Sequence, residues 1–376
     1  MFKKTFFQVH WFLGITAGLI LSLMGVTGAI YSYEQQIIKW MNPDSYTVQA
    51  TQNNKLTPAE LYLHFQKQDP AIKINSITIA QEPTTSSTVN IEKEGARRGY
   101  NMMVNPYTAE VLPEVKGREF FNFIQQLHRN LTVGPVGKQI TGACTLMLIF
   151  FVLSGLYLRW PKRHSIKQWF FIKPKLKGRN FIWDLHAVVG TWVVIFYLIL
   201  ACTGLYWSYD WWRDGMFKVL GVERPQAQMQ EGPRPNAGAA QGPRGEQAGA
   251  RGGESREQGR GGPQGEHTAR GERGQGEQHG ERKGLSPEQV QIALTQTWTG
   301  FNAQVDRDYS TLTLNIPKKP DGTLELSFVD AIPQHERARN SAVFNYQTSQ
   351  IEKMELYEQK KLNEKIMSSM LPVHRG

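Results

Sequence analysis

The sequence predicts a membrane protein: an α-helical transmembrane bundle with three evident spans, carrying two extracytoplasmic α+β domains and built by internal duplication. Three observations predict this class. Segments 11–33, 140–160 and 186–209 are each apolar over the ~20 residues that cross a bilayer. The stretch from His10 to Glu34 recurs without a gap from His186 to Asp210. Both copies open with His, place Gly four residues on (Gly14, Gly190) and carry Thr-Gly at the same later position (Thr27-Gly28, Thr203-Gly204). Both close with Ser-Tyr-acid. The segments that follow the first and third spans also resemble each other.

The first span is too long for a signal-peptide core, and Tyr31, Tyr33 and Glu34 stand where small residues would mark cleavage. It reads as a retained anchor. The negative mean hydropathy averages unlike regions and does not argue against membrane insertion. The net charge of +10 has a local origin. Arg159, Lys162, Arg163, Lys167, Lys173, Lys175, Lys177 and Arg179 form a basic loop free of acids. Short loops of this kind stay on the cytoplasmic side. The expected topology has Lys3 and Lys4 inside, 34–139 outside, 159–185 inside and 210–376 outside. The basic balance therefore reports orientation, and no nucleic-acid partner is expected. Cys144 and Cys202 both lie in apolar spans and read as small buried hydrophobes, although a contact between them is open.

The outside segments are expected to be α+β units. Leu56–Leu61 and Leu285–Val290 open them as N-capped helices. Strand-like alternation follows at Lys73–Ala80, Thr88–Glu92 and Tyr100–Val104, and again at Tyr309–Ile316, Thr323–Val329 and Ala342–Tyr346. Each set gives way to a turn, at Asn105–Val111 and Asn345–Ile351. A helix-like stretch then ends in His-Arg: Glu119–Arg129 in the first copy and Leu356–Arg375 in the second. The predicted organisation is span one (1–34), α+β domain one with its His-bearing helix (35–139), span two (140–160), the basic loop (161–185), span three (186–209), a juxtamembrane piece (210–222), a linker (223–284) and α+β domain two (285–376). The linker is rich in Gly, Arg, Glu, Gln and Pro and has no Val, Ile, Leu, Phe, Trp or Tyr. It cannot bury enough apolar surface to offset the entropy of ordering, so it reads as disordered. His267 and His279 fall there and are not candidate ligands.

The four histidines at the span edges sort into two pairs. His10 and His186 open spans of the same direction, so they share the cytoplasmic edge. His128 and His374 share the outer edge. A histidine at a membrane edge can simply sit among headgroups, but ionisable residues that recur in register within spans point to function. On a helix Gly14 and Gly28 fall near the face of His10, and Gly190 and Gly204 near that of His186. Such glycines give a flat macrocycle room, or they let helices pack closely. The spans offer no carboxylate or cysteine set near the inner pair of the kind zinc or non-haem iron uses. Paired imidazoles suit six-coordinate haem b, held non-covalently because C-x-x-C-H is absent. Arg129 and Arg375 are candidates for pairing with haem propionates; headgroup or surface ion pairing accounts for them equally.

His10-Trp-Phe-Leu-Gly14, Leu127-His128-Arg129, Asp184-Leu-His-Ala-Val-Val-Gly190 and Val373-His374-Arg375, in this order and topology, resemble the PepSY-associated transmembrane family of bacterial inner membranes. The resemblance spans most of the chain outside the linker, and it makes the two α+β units PepSY-like domains. It is similar, within that family, to the haem-containing siderophore reductases such as those for ferrioxamine. The resemblance implies two haems b with His10, His186, His128 and His374 as axial ligands, and Gly14, Gly190, Arg129 and Arg375 beside the cofactor. Relatives commonly continue from the final His-Arg into a fourth span, whereas this sequence stops at Gly376.

The expected function is that of an inner-membrane di-haem oxidoreductase. It takes electrons from a quinol or a cytoplasmic reductase and passes them across the lipid bilayer to a Fe(III)-siderophore, of hydroxamate or other type, in the periplasm. The contrasting expectation is a non-enzymatic, membrane-anchored PepSY binding or accessory module for iron-complex uptake. Trp160, His164 and Trp169 could dock a donor or form an interfacial belt, and Trp207, Trp211 and Trp212 read as belt residues. Tyr100, Tyr107, Arg97 and Arg98 are the candidates for substrate contact.

Overall fold

A computed structural model describes residues 2–160, 166–223 and 285–375. The linker expected over 223–284 falls outside these apart from residue 223, as do His164, His267 and His279, and nothing is described of the Arg97 and Arg98 side chains.

Among the described residues three helices are long and apolar enough to cross a membrane: α1 (Phe2–Ser32), α6 (Gly134–Arg159) and α8 (Arg179–Ser208). All three begin several residues before the segments read from hydropathy. The extra turns carry polar residues such as Lys3, Lys138 and Asn180, which hydropathy counts against a span but a helix tolerates at its ends. Most of their large apolar side chains face outward, as a lipid solvent requires; Leu19 is 79% exposed and Phe196 67%. Within the bundle α6 packs against both α1 and α8. Cys144 and Cys202 are free thiols.

Short helices α2 (Glu34–Met41) and α3 (Pro43–Tyr46) leave the first span, and α4 (Pro58–Gln68) follows. Strands β1 (Ile74–Ala80), β2 (Ser87–Lys93) and β3 (Ala96–Val104) complete the first unit. Helix α5 (Arg118–Asn130) carries the first His-Arg motif back towards α6. On the far side of α6 lies the short α7 (Ile166–Phe170), and α9 (Asp210–Leu220) leaves the third span. The second unit is α10 (Pro287–Gln304) with β4 (Tyr309–Asn315), β5 (Thr323–Asp330), β6 (Asn340–Asn345) and β7 (Gln350–Glu355). A 3₁₀ turn (Tyr357–Gln359), α11 (Leu362–Ser368) and α12 (Met370–Arg375) end the described chain.

The two units start alike for a shared reason. Thr57 accepts from the Glu60 amide while the Glu60 side chain accepts from the Thr57 amide, and Ser286 and Gln289 do the same. Each reciprocal pair satisfies two orphan N–H groups and stabilises the helix start. The turns also match. Asn105 Oδ1 accepts from the Tyr107 amide at 2.9 Å and Asn345 Oδ1 from the Gln347 amide at 3.0 Å. Four residues after each Asn, Ala109 and Ser349 take positive φ.

Three details differ from the sequence reading. The two units do not form separate sheets. They share one seven-stranded antiparallel sheet in the order β3-β2-β1-β4-β5-β6-β7. The central β1–β4 ladder pairs Ser76 with Asn315 through Ala80 with Thr311. One core under α4 and α10 takes Leu61, Phe65, Ile77 and Val89 from the first unit and Leu294, Phe301, Leu312 and Phe328 from the second. Neither the three-stranded nor the four-stranded unit covers its central edge by itself, and pairing satisfies those backbone groups. Second, the turn at Asn345 leads into β7, whereas the first unit closes with a single bridge between Val104 and Val111. Third, the helix expected over Leu356–Arg375 is broken at Ser369. Pro372 has no N–H and its ring clashes with the carbonyl four residues back, at Ser368, so the helix must restart.

The sheet lies beyond the C-terminal ends of α1 and α8. A small cluster of Ile38, Met103, Val115 and Phe121, packed by Ile30 and Tyr31 of α1, ties it to the bundle.

Candidate functional site

The four histidines come together as two facing pairs in the cleft between α1 and α8. His10 and His186 have ring centroids 6.4 Å apart, and His128 and His374 are 6.1 Å apart. Fourteen residues of α1 separate His10 from Met24, the residue beside the second pair; at the helical rise this is about 21 Å. The pairs are thus stacked along the span direction, one towards each end.

Hydrogen bonds fix the tautomer of three of the four rings. Ser154 donates to the Phe150 carbonyl at 2.6 Å, so its oxygen is left to accept from His10 Nδ1 at 2.8 Å. His128 Nδ1 lies 2.9 Å from the Met24 carbonyl, which can only accept. Thr203 donates to the Ile199 carbonyl at 2.7 Å, leaving its oxygen to accept from His374 Nδ1 at 2.9 Å. Each of these rings therefore carries its proton on Nδ1 and keeps the Nε2 lone pair free. This is the second-shell arrangement that prepares an imidazole as a metal ligand. His186 is more exposed and makes no hydrogen bond among the described residues; its ring faces His10 edge-on.

The outer pair is kept neutral. Burial is the main cause for both. It lowers the pKa of His128, and burial together with the neighbouring His128 pushes His374 down to about 4. Neutral imidazole is the ligating form.

The repeated Thr-Gly has a role in both copies. Gly28 lies under His128 and Gly204 under His374. A Cβ at Gly28 would come within 3.0 Å of His128 Cε1, and one at Gly204 within 3.1 Å of His374 Cε1. These glycines seat imidazole rings, which is a different use from the macrocycle clearance expected of them. Gly14 and Gly190, one turn from the inner histidines, have open space where a side chain would project. Thr27, Thr203, Ser154 and the Met24 carbonyl were not singled out by sequence reasoning. The first two were visible in the repeat, where only the glycine received a role. Ser154 carries no repeated signal.

The arginines diverge. Arg375 is largely buried, pairs with Glu34 at 2.5 Å and stacks over Tyr31 with 4.1 Å to the ring centroid, while its Nε stays buried without a partner. Arg129 is exposed and makes no ion pair among the described residues. At the inner end, Arg159 binds the Trp169 carbonyl at 3.1 Å and leaves Nη1 buried without a partner. The candidate substrate tyrosines serve their own domain: Tyr100 donates to Glu114 at 3.0 Å and Tyr107 to the Pro83 carbonyl at 2.9 Å. Among the described residues no group of three or more His, Cys, Asp or Glu converges as a metal-binding set.

Two imidazoles sharing one ion place a nitrogen about 2 Å from it on each side. Adding the distance from nitrogen to ring centre brings the centroids to about 6 Å. Both pairs have about this separation.

A family described as the PepSY-associated TM region matches residues 7–376. The chain belongs to this family. The match takes in all four histidines, the basic loop and both halves of the sheet, so the PepSY-associated region here is spans and sheet together. No curated protein matches the chain.

Proposed function

We propose that this PepSY-associated membrane protein binds two haems b, one between His10 and His186 and one between His128 and His374, and reduces Fe(III) held in a siderophore. The observation that carries the reading is the pair of centroid separations, 6.4 and 6.1 Å, each suited to one six-coordinate iron between two imidazoles. The donor set supports it. Two imidazoles with no third protein ligand among the described residues are what a macrocycle with four nitrogens of its own requires. Haem b bound in this way supplies one-electron redox chemistry.

The chain's own residues do the rest. Ser154, the Met24 carbonyl and Thr203 hold Nδ1 protons and so aim Nε2 at the iron positions. Gly28 and Gly204 allow the outer rings to seat against the spans. The unpartnered Nε of Arg375 and Nη1 of Arg159 are buried cations close to the outer and inner sites, and each suits a propionate. The apolar spans exclude water between the sites. The orientation that fits the charge pattern has the basic loop in the cytoplasm of a bacterial cell and the sheet in the periplasm. Haem held at the two pairs would supply a path for electrons from a quinol or a cytoplasmic reductase to the His128/His374 end, beside the sheet. A siderophore holds Fe(III) far more tightly than Fe(II), so one electron releases the metal. A hydroxamate complex is the first substrate to test.

The test is anaerobic. Protein in nanodiscs is reduced, freed of reductant and mixed with a ferric hydroxamate and a ferrous chelator. The reading predicts re-oxidation of the α band in step with Fe(II) capture. Haem-loaded protein that stays reduced would leave the accessory-module reading in its place.

A further inference from the structure

His374 sits on α12, a helix of six residues that follows a break and has no further described helix after it. So short a helix is not stable alone. Its start at Ser369 is tied to the sheet by a chain of hydrogen bonds. The amide of Arg337 donates to His335 Nδ1 at 3.0 Å, so that nitrogen carries no proton and Nε2 is the donor of the neutral ring. His335 Nε2 lies 2.7 Å from the Tyr357 hydroxyl. Tyr357 in turn lies 3.3 Å from Ser369 Oγ, which donates to the Lys365 carbonyl at 2.7 Å. The Val373 amide then bonds the Ser369 carbonyl at 2.9 Å, which opens the turn bearing His374. Tyr357 is buried and held from behind: its amide donates to Asn340 Oδ1 at 2.8 Å, and Asn340 donates to Asp330 at 2.8 Å. Asp330 is paired with Arg307.

We propose that His335, Tyr357 and Ser369 are positioning residues for the outer site: a relay that fixes α12 to the β5–β6 loop and so sets where His374 Nε2 points. Neither His335 nor Tyr357 touches the site itself. The relay joins the sheet to the outer ligand, so it is a physical link between the domain that faces the substrate and the group that faces the iron. It rests on the reading of His374 as a haem ligand for its redox consequence, but its mechanical part does not.

The experiment uses full-length protein in nanodiscs, as wild type and as His335→Ala, His335→Gln, Tyr357→Phe and Ser369→Ala. Tyr357→Phe keeps the buried ring and removes only the hydroxyl, so folding is not at stake. Two readouts are taken: amide hydrogen exchange over 370–375, and the low-spin haem signals in electron paramagnetic resonance. The relay predicts roughly five- to tenfold faster exchange over 370–375 on loss of one link. It also predicts a shifted outer-haem signal beside an unmoved inner-haem signal. His335→Gln, whose side chain can both accept from Arg337 and donate to Tyr357, should restore most of both. Unchanged exchange overturns the proposal. So does faster exchange with an unmoved outer signal, or a joint shift of both haems. If the wild-type protein holds no haem, the function proposed above fails and the exchange arm alone decides whether the relay holds α12.

Discussion

His128 and His374 occupy matching places in the two copies, yet they are held by different means. His128 rides on a continuous helix of thirteen residues whose Phe121 and Ile124 are buried, and α6 follows it directly into the bundle. His374 rides on six residues after a proline-induced break, of which Met370 is buried, and polar links add to the hold: the His335–Tyr357–Ser369 chain and the Arg375–Glu34 pair. The rings themselves meet the spans at matching positions, Thr27-Gly28 under one and Thr203-Gly204 under the other. The contact nearest the chemistry is thus duplicated, while its support is not. Apolar packing is non-directional and tolerates change; a hydrogen bond needs both of its partners in place.

The comparison can be broken most severely at the ligands. His10→Ala and His186→Ala should each remove the same one haem, and His128→Ala and His374→Ala the other, read from haem spectra of purified variants. Loss of different haems within a pair would dissolve the pairing. Next come the seats. Gly28→Ala and Gly204→Ala press a methyl group against an imidazole and should cost about 1–3 kcal/mol at the outer site, seen as weakened outer-haem retention. Gly14→Ala and Gly190→Ala meet open space and should leave both imidazole pairs in place. The partners of Nδ1 follow. Ser154→Ala should lower haem affinity at the inner site, and Thr203→Val at the outer site, each by about 10- to 100-fold, measured by haem transfer to an apo-acceptor. The smallest effect is the most symmetric. Thr57→Ala and Ser286→Ala each remove a capping box and should lower the stability of the shared sheet by about 1 kcal/mol, alike in the two halves, by denaturant unfolding. A large inequality would show that the halves do not unfold together.

Much of this was legible in the residues. Hydropathy located the spans, and the ungapped repeat placed His10 with His186. The capping residues Thr57 and Ser286 announced α4 and α10, and the Asn105 and Asn345 turns appeared where they were read. What the sequence concealed is non-local. Nothing in the alternation of β1 or β4 says that their edges meet, because an edge strand and a central strand of this length carry the same pattern. The break at Ser369 is encoded in Pro372, whose ring excludes the helical bond to the Ser368 carbonyl four residues earlier. The role of Ser154 depends on which residue of α1 packs against the middle of α6, and that is a property of the bundle. For Arg375 the residues allow propionate pairing and surface ion pairing equally; Glu34 takes part of its hydrogen-bonding capacity and leaves Nε.

The central claim is that two histidine pairs hold two haems. A pyridine haemochrome assay with amino-acid quantitation, on protein expressed with haem in excess, tests it most directly. The account predicts haem b at two per chain, falling to one in His10→Ala and in His128→Ala. Protein with no haem, or with a single haem that survives both substitutions, would contradict it.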